Sequence, residues 1–182
     1  LPEGFATGID SAPEMIDHAR RHFPRARYPN LEFRVMDARA IQLPGSYDIV
    51  FSNAALHWVD DHLRFLQGAA AVLRSGGRLS VSCGGRGNAA EVFRAARAVM
   101  RDARWRSSFR GMPLPYFFYG PERYPAWAER AGLRLEVVRL VEKDMALANR
   151  AAFIGWVRST WIPYTQRVPE AQREEFIAAL TS

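Results

Sequence analysis

Three polar side chains able to do chemistry each follow a short apolar run: Asp10 after Gly4–Ile9, Asp37 after Leu31–Met36, and Asn53 after Tyr47–Ser52. A carboxylate closing a strand of a nucleotide-binding βαβ unit can accept both hydroxyls of a ribose. Asp10 has such a placement, and it could equally cap a helix starting near Ala12. A carboxylate placed like Asp37 can accept a hydrogen bond from an exocyclic amine such as that of adenine, while an apolar residue such as Met15 presses on the base. An ordinary turn aspartate would look the same. After the third run, Ser52-Asn53-Ala54-Ala55-Leu56-His57-Trp58 brings a histidine and an indole close to Asn53. The single cysteine, Cys83, ends the apolar run Leu79-Ser80-Val81-Ser82-Cys83 and reads as a small core residue rather than a nucleophile. No Cys/His cluster has zinc spacing, so no metal site is expected.

The elements that must position these residues follow from turn signals and periodicity. Gly4–Ile9 reads as a strand. Ala12–His22 reads as a helix, with Ser11 as N-cap, Pro13 in the first turn, and Met15, Ile16 and Ala19 on one face. Leu31–Met36 and Tyr47–Ser52 are strands. Asp60 or Asp61 opens a helix through Leu73 that Gly76-Gly77 terminates, and Arg78–Cys83 is the next strand. This alternation predicts an α/β fold with a doubly wound, mostly parallel, Rossmann-like sheet, in which ligands sit beyond the carboxyl ends of the strands. Asp10, Asp37 and Asn53 all fall at that edge. Farther along, helices are expected over Asn88–Ala103, Pro121–Ala131, Arg150–Trp161 and Pro169–Leu180, with an aromatic loop over Gly111–Gly120 and a strand over Leu133–Glu142. Residues 1–182 are thus expected to form one domain, with a nucleotide-binding half over 1–85 and the end of the sheet plus a helical cap over 86–182.

With 182 residues, 48% of them hydrophobic, the chain can build one real core. No apolar run reaches membrane-spanning length, and Leu1-Pro2-Glu3-Gly4 lacks the features of a signal peptide. The net charge is +6, but 24 of the 25 basic residues are arginines, with Lys143 the only lysine, and they are dispersed along the chain. That dispersal argues against a phosphate-tracking stripe, so neither nucleic acid nor membrane is expected as a partner. One cysteine fits a reducing cytoplasm.

Taken in register, Gly8-Ile9-Asp10-Ser11, Asp37-Ala38 and Ser52-Asn53-Ala54-Ala55-Leu56-His57-Trp58 resemble the class I S-adenosylmethionine-dependent methyltransferases. Leu73-Arg74-Ser75-Gly76-Gly77-Arg78-Leu79 resembles the paired-glycine turn of that family. Within it, Asn53 to Val59 and the late Trp156-Val157-Arg158-Ser159-Thr160-Trp161-Ile162-Pro163-Tyr164 are similar to the trans-aconitate 2-methyltransferase-like group. The resemblance implies S-adenosyl-L-methionine as cofactor, S-adenosyl-L-homocysteine as product, and a carboxylate of a small organic acid as acceptor. It implies that Asp10 and Ser11 lie at the ribose, Met15 and Ala38 at the adenine, Asp37 at its amine, and Asn53 and Ala54 at the methionine end. On the acceptor side, His57 and Arg158 are the candidate catalytic residues. Trp58, Tyr119, Trp161 and Tyr164 are candidate substrate contacts, with the Tyr116 to Tyr119 loop as a lid.

The family's first strand ends in a Gly-x-Gly loop. No such loop precedes Gly4, and Gly84-Gly85-Arg86-Gly87 follows the Arg78–Cys83 strand instead. The chain therefore reads as the C-terminal part of such a domain, whose open sheet edge could pair with another chain. The alternative reading is a non-catalytic or truncated methyltransferase-fold fragment. A dehydrogenase with a related sheet is a more distant reading, since Asn-Ala-Ala-Leu-His-Trp is foreign to that pattern.

Overall fold

The computed structural model describes residues 3–182; Leu1 and Pro2, on which part of the N-terminal reading rests, lie outside the described residues. In chain order the elements are β1 (Ala6–Asp10), α1 (Pro13–His22), β2 (Leu31–Val35), β3 (Tyr47–Asn53), α2 (His62–Val72) and β4 (Leu73–Ser82). Then follow α3 (Ala90–Met100), α4 (Tyr124–Arg130), α5 (Arg150–Thr160), α6 (Ile162–Thr165) and α7 (Arg173–Leu180). The chain divides into two compact units. One holds the residues up to Gly84 together with Tyr119–Arg139, and the other holds Gly85–Phe118 with Leu140–Ser182.

The first unit is α/β. β1 pairs parallel with β2, from Ala6 opposite Leu31 to Asp10 opposite Val35, and β3 pairs parallel with β4. Parallel neighbours cannot be joined by a tight hairpin, and α1 and α2 supply the two crossovers. The hydroxyls of Thr7 on β1 and Tyr47 on β3 hydrogen-bond at 2.9 Å. On the β3–β4 pair, Val50, Leu79 and Val81 pack towards Leu56, Phe65 and Leu66. Alternation turns Ile49 and Phe51 to the other face, where they are 63% and 70% exposed.

Pro13 opens α1 as expected, but Ser11 is not its cap. Ala12 occupies that position, and its N–H is taken by the Asp10 carboxylate. Asp61 caps α2 by accepting the Arg64 N–H at 3.0 Å. The glycine pair lies elsewhere than expected: α2 stops at Val72, and β4 runs on directly from Leu73, so Gly76-Gly77 sits inside the strand. There the register slips, with Tyr47 opposite Leu73 but Ile49 opposite Arg78. The glycines make the irregularity feasible. Gly76 has φ +74°, and a Cβ on Gly77 would lie 2.9 Å from the Arg74 carbonyl oxygen and 3.1 Å from that of Tyr47.

The strand expected over residues 133–142 does not form. Its alternating apolar residues Leu135, Val137 and Val141 stay exposed, and no neighbouring strand pairs with it among the described residues. Alternation marks a strand only where an edge is there to receive it.

The second unit is helical. Its core gathers Ala96, Trp105, Val157, Trp161, Val168 and Phe176. The Phe176 ring lies 5.3 Å from Trp105, edge-on, and 5.3 Å from Phe109, stacked. Asn149 caps α5 through the Ala152 N–H, and the chain restarts as α6 with Pro163 in its first turn.

Two glycine substitutions should therefore move stability in opposite directions. Gly77→Ala should cost about 1–3 kcal/mol because backbone must shift to admit the methyl. Gly155→Ala, in mid-α5 with nothing within 4 Å of a new Cβ, should add about 0.5–1 kcal/mol. Urea unfolding of both variants checks the pair.

Candidate functional site

The parallel ladders decide which side chains meet. The Met36 N–H donates to the Asp10 carbonyl at 2.9 Å, which sets Asp10 and Asp37 side by side at the carboxyl edge of β1 and β2. On the other pair, Asn53 is opposite Ser82, and the Ala54 N–H donates to the Ser82 carbonyl at 2.8 Å.

At Asp10 the structure shows the local role, a carboxylate tied to the segment that leads into α1. Oδ1 accepts the Ala12 N–H at 2.8 Å, while Oδ2 has no hydrogen bond among the described residues. Ser11 is exposed, and Met15, in the first turn of α1, is 54% exposed.

Asp37 is already engaged. The Arg39 guanidinium donates from Nε and Nη2 to its carboxylate, at 2.6 Å in the shortest contact, and the Arg39 backbone N–H adds a bond of 2.8 Å. Arg39 also reaches Asp60 at 3.0 Å. These bonds hold the Asp37 carboxyl below its ordinary range. An adenine amine would share this carboxylate with Arg39. Ala38 packs towards Leu56 and Phe65.

Ala54 has φ +55°, a left-handed conformation that costs an alanine about 1–2 kcal/mol. Strain of this kind persists where the surroundings over-determine it and clusters at functional sites. Alanine is not a turn-type residue, so the sequence carried no signal for it.

His57 is half-buried, and its Nδ1 accepts the Gly84 N–H at 3.3 Å, which puts the neutral ring's proton on Nε2. The Trp58 ring lies 5.7 Å away and is 45% exposed.

Sequence reasoning passed over His62, which is 1% exposed and central to this unit. Its Nε2 donates to the Leu56 carbonyl at 2.8 Å, and its Nδ1 accepts the Tyr124 hydroxyl at 2.9 Å. The Tyr119 ring meets it edge-on at 4.8 Å, and the Tyr119 hydroxyl donates to the Asp60 carbonyl at 2.7 Å. The only signal was a histidine directly after the Asp60-Asp61 cap; its partner Tyr124 lies 62 residues farther on. Burial also raises the pKa of the Cys83 thiol, in line with a core residue and not an activated nucleophile.

The remaining predicted residues lie in the helical unit. Arg158 is exposed and ion-paired with Glu174. Trp161 and Tyr164 are each 3% exposed, with ring centroids 4.9 Å apart, and Phe93 lies 4.9 Å from Trp161. The Tyr116 hydroxyl donates to the Thr160 carbonyl at 2.8 Å. Among the described residues no helix is long and apolar enough to cross a membrane, and no group of three or more His, Cys, Asp or Glu is placed to hold a metal.

A family model for a methyltransferase domain matches residues 3–81. Trans-aconitate 2-methyltransferase of Methylobacterium radiotolerans is 30% identical over 187 aligned positions, covering 100% of this chain and 68% of that protein. The enzyme of that name from Escherichia coli is 28% identical, covering 97% and 66%. An uncharacterized methyltransferase of Schizosaccharomyces pombe is 32% identical over 144 positions, covering 77% and 55%. The chain therefore spans between about half and two thirds of these relatives' lengths. Among solved structures, a Galdieria sulphuraria protein described as a sarcosine dimethylglycine methyltransferase aligns over 97% of this chain and 62% of its own, with TM-score 0.54 at 13% identity. A chain of the Haloferax volcanii complex between the Trm112 methyltransferase activator and a methyltransferase aligns over 82% and 60%, with TM-score 0.53 at 21% identity. Both likenesses show the fold, a Rossmann-like α/β architecture.

Burial lowers the pKa of both His57 and His62 from the ordinary 6.5. Below that value the unfolded chain binds protons that the folded rings refuse. Stability is therefore complete above about pH 6.5 and falls as pH drops towards the folded values, by up to about 1.4 kcal/mol per pH unit for each ring. Denaturant unfolding at about pH 7.5 and about pH 5.5 measures this slope, and His62→Gln should make it shallower. A flat profile would contradict the buried neutral rings.

Proposed function

The chain belongs to the class I S-adenosylmethionine-dependent methyltransferases, in the trans-aconitate 2-methyltransferase group, and on that footing we propose that it methylates a carboxylate of a small organic acid. The observation that carries this reading is the carboxyl edge of the two parallel ladders. An aspartate with one open oxygen ends β1, and a strained Asn53-Ala54 turn ends β3.

The residues present fit the cofactor. The open Oδ2 of Asp10, with Ser11 beside it, suits vicinal ribose hydroxyls. The exposed Met15 side chain and Ala38 suit the adenine faces, and Asp37, shared with Arg39, suits its amine. Asn53 and Ala54 are assigned to the methionine portion. When bound, S-adenosylmethionine supplies an activated methyl group on a sulfonium, and S-adenosylhomocysteine is the product.

What remains for the protein is alignment and the exclusion of water, worth about 7–11 kcal/mol when orientation is optimal. A carboxylate acceptor is already ionised near neutrality and needs no general base. His57 is therefore assigned to hold the acceptor by hydrogen bonding rather than to take a proton from it. Trp58 and Tyr119 are assigned as its walls. Arg158, ion-paired with Glu174, belongs to the helical unit and is not assigned to the acceptor. Trp161 and Tyr164, both in the helical core, support that unit.

Methyl-labelled S-adenosylmethionine offered with trans-aconitate and other small di- and tricarboxylates tests the proposal. Label should enter a base-labile methyl ester. Asp10→Ala should raise the KM for S-adenosylmethionine about tenfold, the worth of a hydrogen bond to a charged group, with a smaller change in kcat. Absence of label from every acid would refute the acceptor class, and an unchanged KM would refute the role of Asp10.

A further inference from the structure

The helical unit contains a cleft of about 360 Å³ formed entirely by its own residues. Phe93, Arg97 and Met100 recur at helical spacing on α3 and present one face to it, with Arg101 just beyond. The segment after α3 contributes Arg106, Phe109 and Met112, and α6 contributes Tyr164.

Two independent features mark this cleft as more than a packing gap. The guanidinium groups of Arg97, Arg101 and Arg106 make no side-chain hydrogen bond or ion pair among the described residues. Arg104 on the same segment, in contrast, is tied to Asp102 and Glu175. The Tyr164 hydroxyl is buried and without a hydrogen-bond partner, the one such side-chain atom among the described residues. Buried hydroxyls are almost always satisfied, so an orphan on a residue that lines a cleft calls for a partner the protein does not supply. Arg97 lies close enough for its charge to act on that hydroxyl.

We propose that this cleft binds an amphipathic monocarboxylate, with the acid held by Arg97, Arg101 and the Tyr164 hydroxyl and the apolar body lying against Phe93, Met100, Phe109 and Met112. Arginine presents paired donors that match a carboxylate, and a tyrosine hydroxyl completes its hydrogen bonding. The predominantly apolar walls select a hydrocarbon tail over further charges, and the volume suits a small ligand. Arg106 at the rim adds electrostatic attraction. The site depends neither on the methyl-transfer reading nor on any residue assigned to the cofactor.

Calorimetric titration of the protein with octanoate tests the proposal, with trans-aconitate as the polycarboxylate comparison and S-adenosylhomocysteine titrated separately into the same preparation. Octanoate should bind saturably and more tightly than trans-aconitate. Arg97→Met and Arg101→Met, both at exposed positions, should each weaken it about tenfold, as loss of a charge-assisted hydrogen bond does. They should leave S-adenosylhomocysteine binding unchanged. Tyr164→Phe, which keeps the ring in the core, should also weaken octanoate binding. No saturable octanoate binding, equal affinity in the arginine variants, or tighter binding of trans-aconitate would each overturn the proposal. S-adenosylhomocysteine binding reports on the cofactor site whichever of these occurs.

Discussion

Two strands running the same way need a crossover to join them, and in this chain α1 and α2 carry the backbone from the end of one strand to the start of its partner. Each ladder then delivers both of its carboxyl ends to one side. Asp10 stands beside Asp37, and Asn53-Ala54 stands beside Ser82. No other pairing of these segments would gather those residues. An antiparallel arrangement would put Asp10 opposite Leu31, at the far end of its neighbour. The chemistry proposed for the first unit depends on this geometric fact before it depends on any particular side chain.

Electrostatics and burial then tune the edge. Arg39 bridges Asp37 and Asp60 and fixes the loop after β2 to the segment that leads into α2. His62, neutral and almost fully enclosed, ties the Leu56 carbonyl to the Tyr124 hydroxyl, and so holds the turn carrying His57 and Trp58 against α4. A buried ring with both nitrogens satisfied is a rigid support, and removing either partner would leave an unpaired polar group. The strained Ala54 backbone is held to β4 by its N–H bond to the Ser82 carbonyl.

Much of this was legible in the sequence. The strand–helix alternation, Pro13 at the start of α1, an aspartate cap at Asp60 or Asp61 and the three edge residues all rest on local rules that operate within a few residues. What was not legible is non-local. The Gly76-Gly77 pair reads as a helix stop because the sequence cannot show that Leu73 already pairs with Tyr47. Residues 133–142 alternate like a strand but lack a partner edge. His62 looks like an ordinary helix-start histidine until Tyr124 is folded against it. The aromatic run ending in Tyr164 resembled a binding motif by its letters. Its burial assigns Trp161 to the core, while the orphaned Tyr164 hydroxyl points to a separate role.

The central claim is that the carboxyl edge of the parallel ladders is a site for S-adenosylmethionine and not for a dinucleotide. Calorimetric titration of the protein with S-adenosylhomocysteine, with NAD as the comparison, tests it most directly. Micromolar, one-to-one binding of S-adenosylhomocysteine with no heat from NAD is the predicted result. Binding of NAD, or of neither, would contradict it.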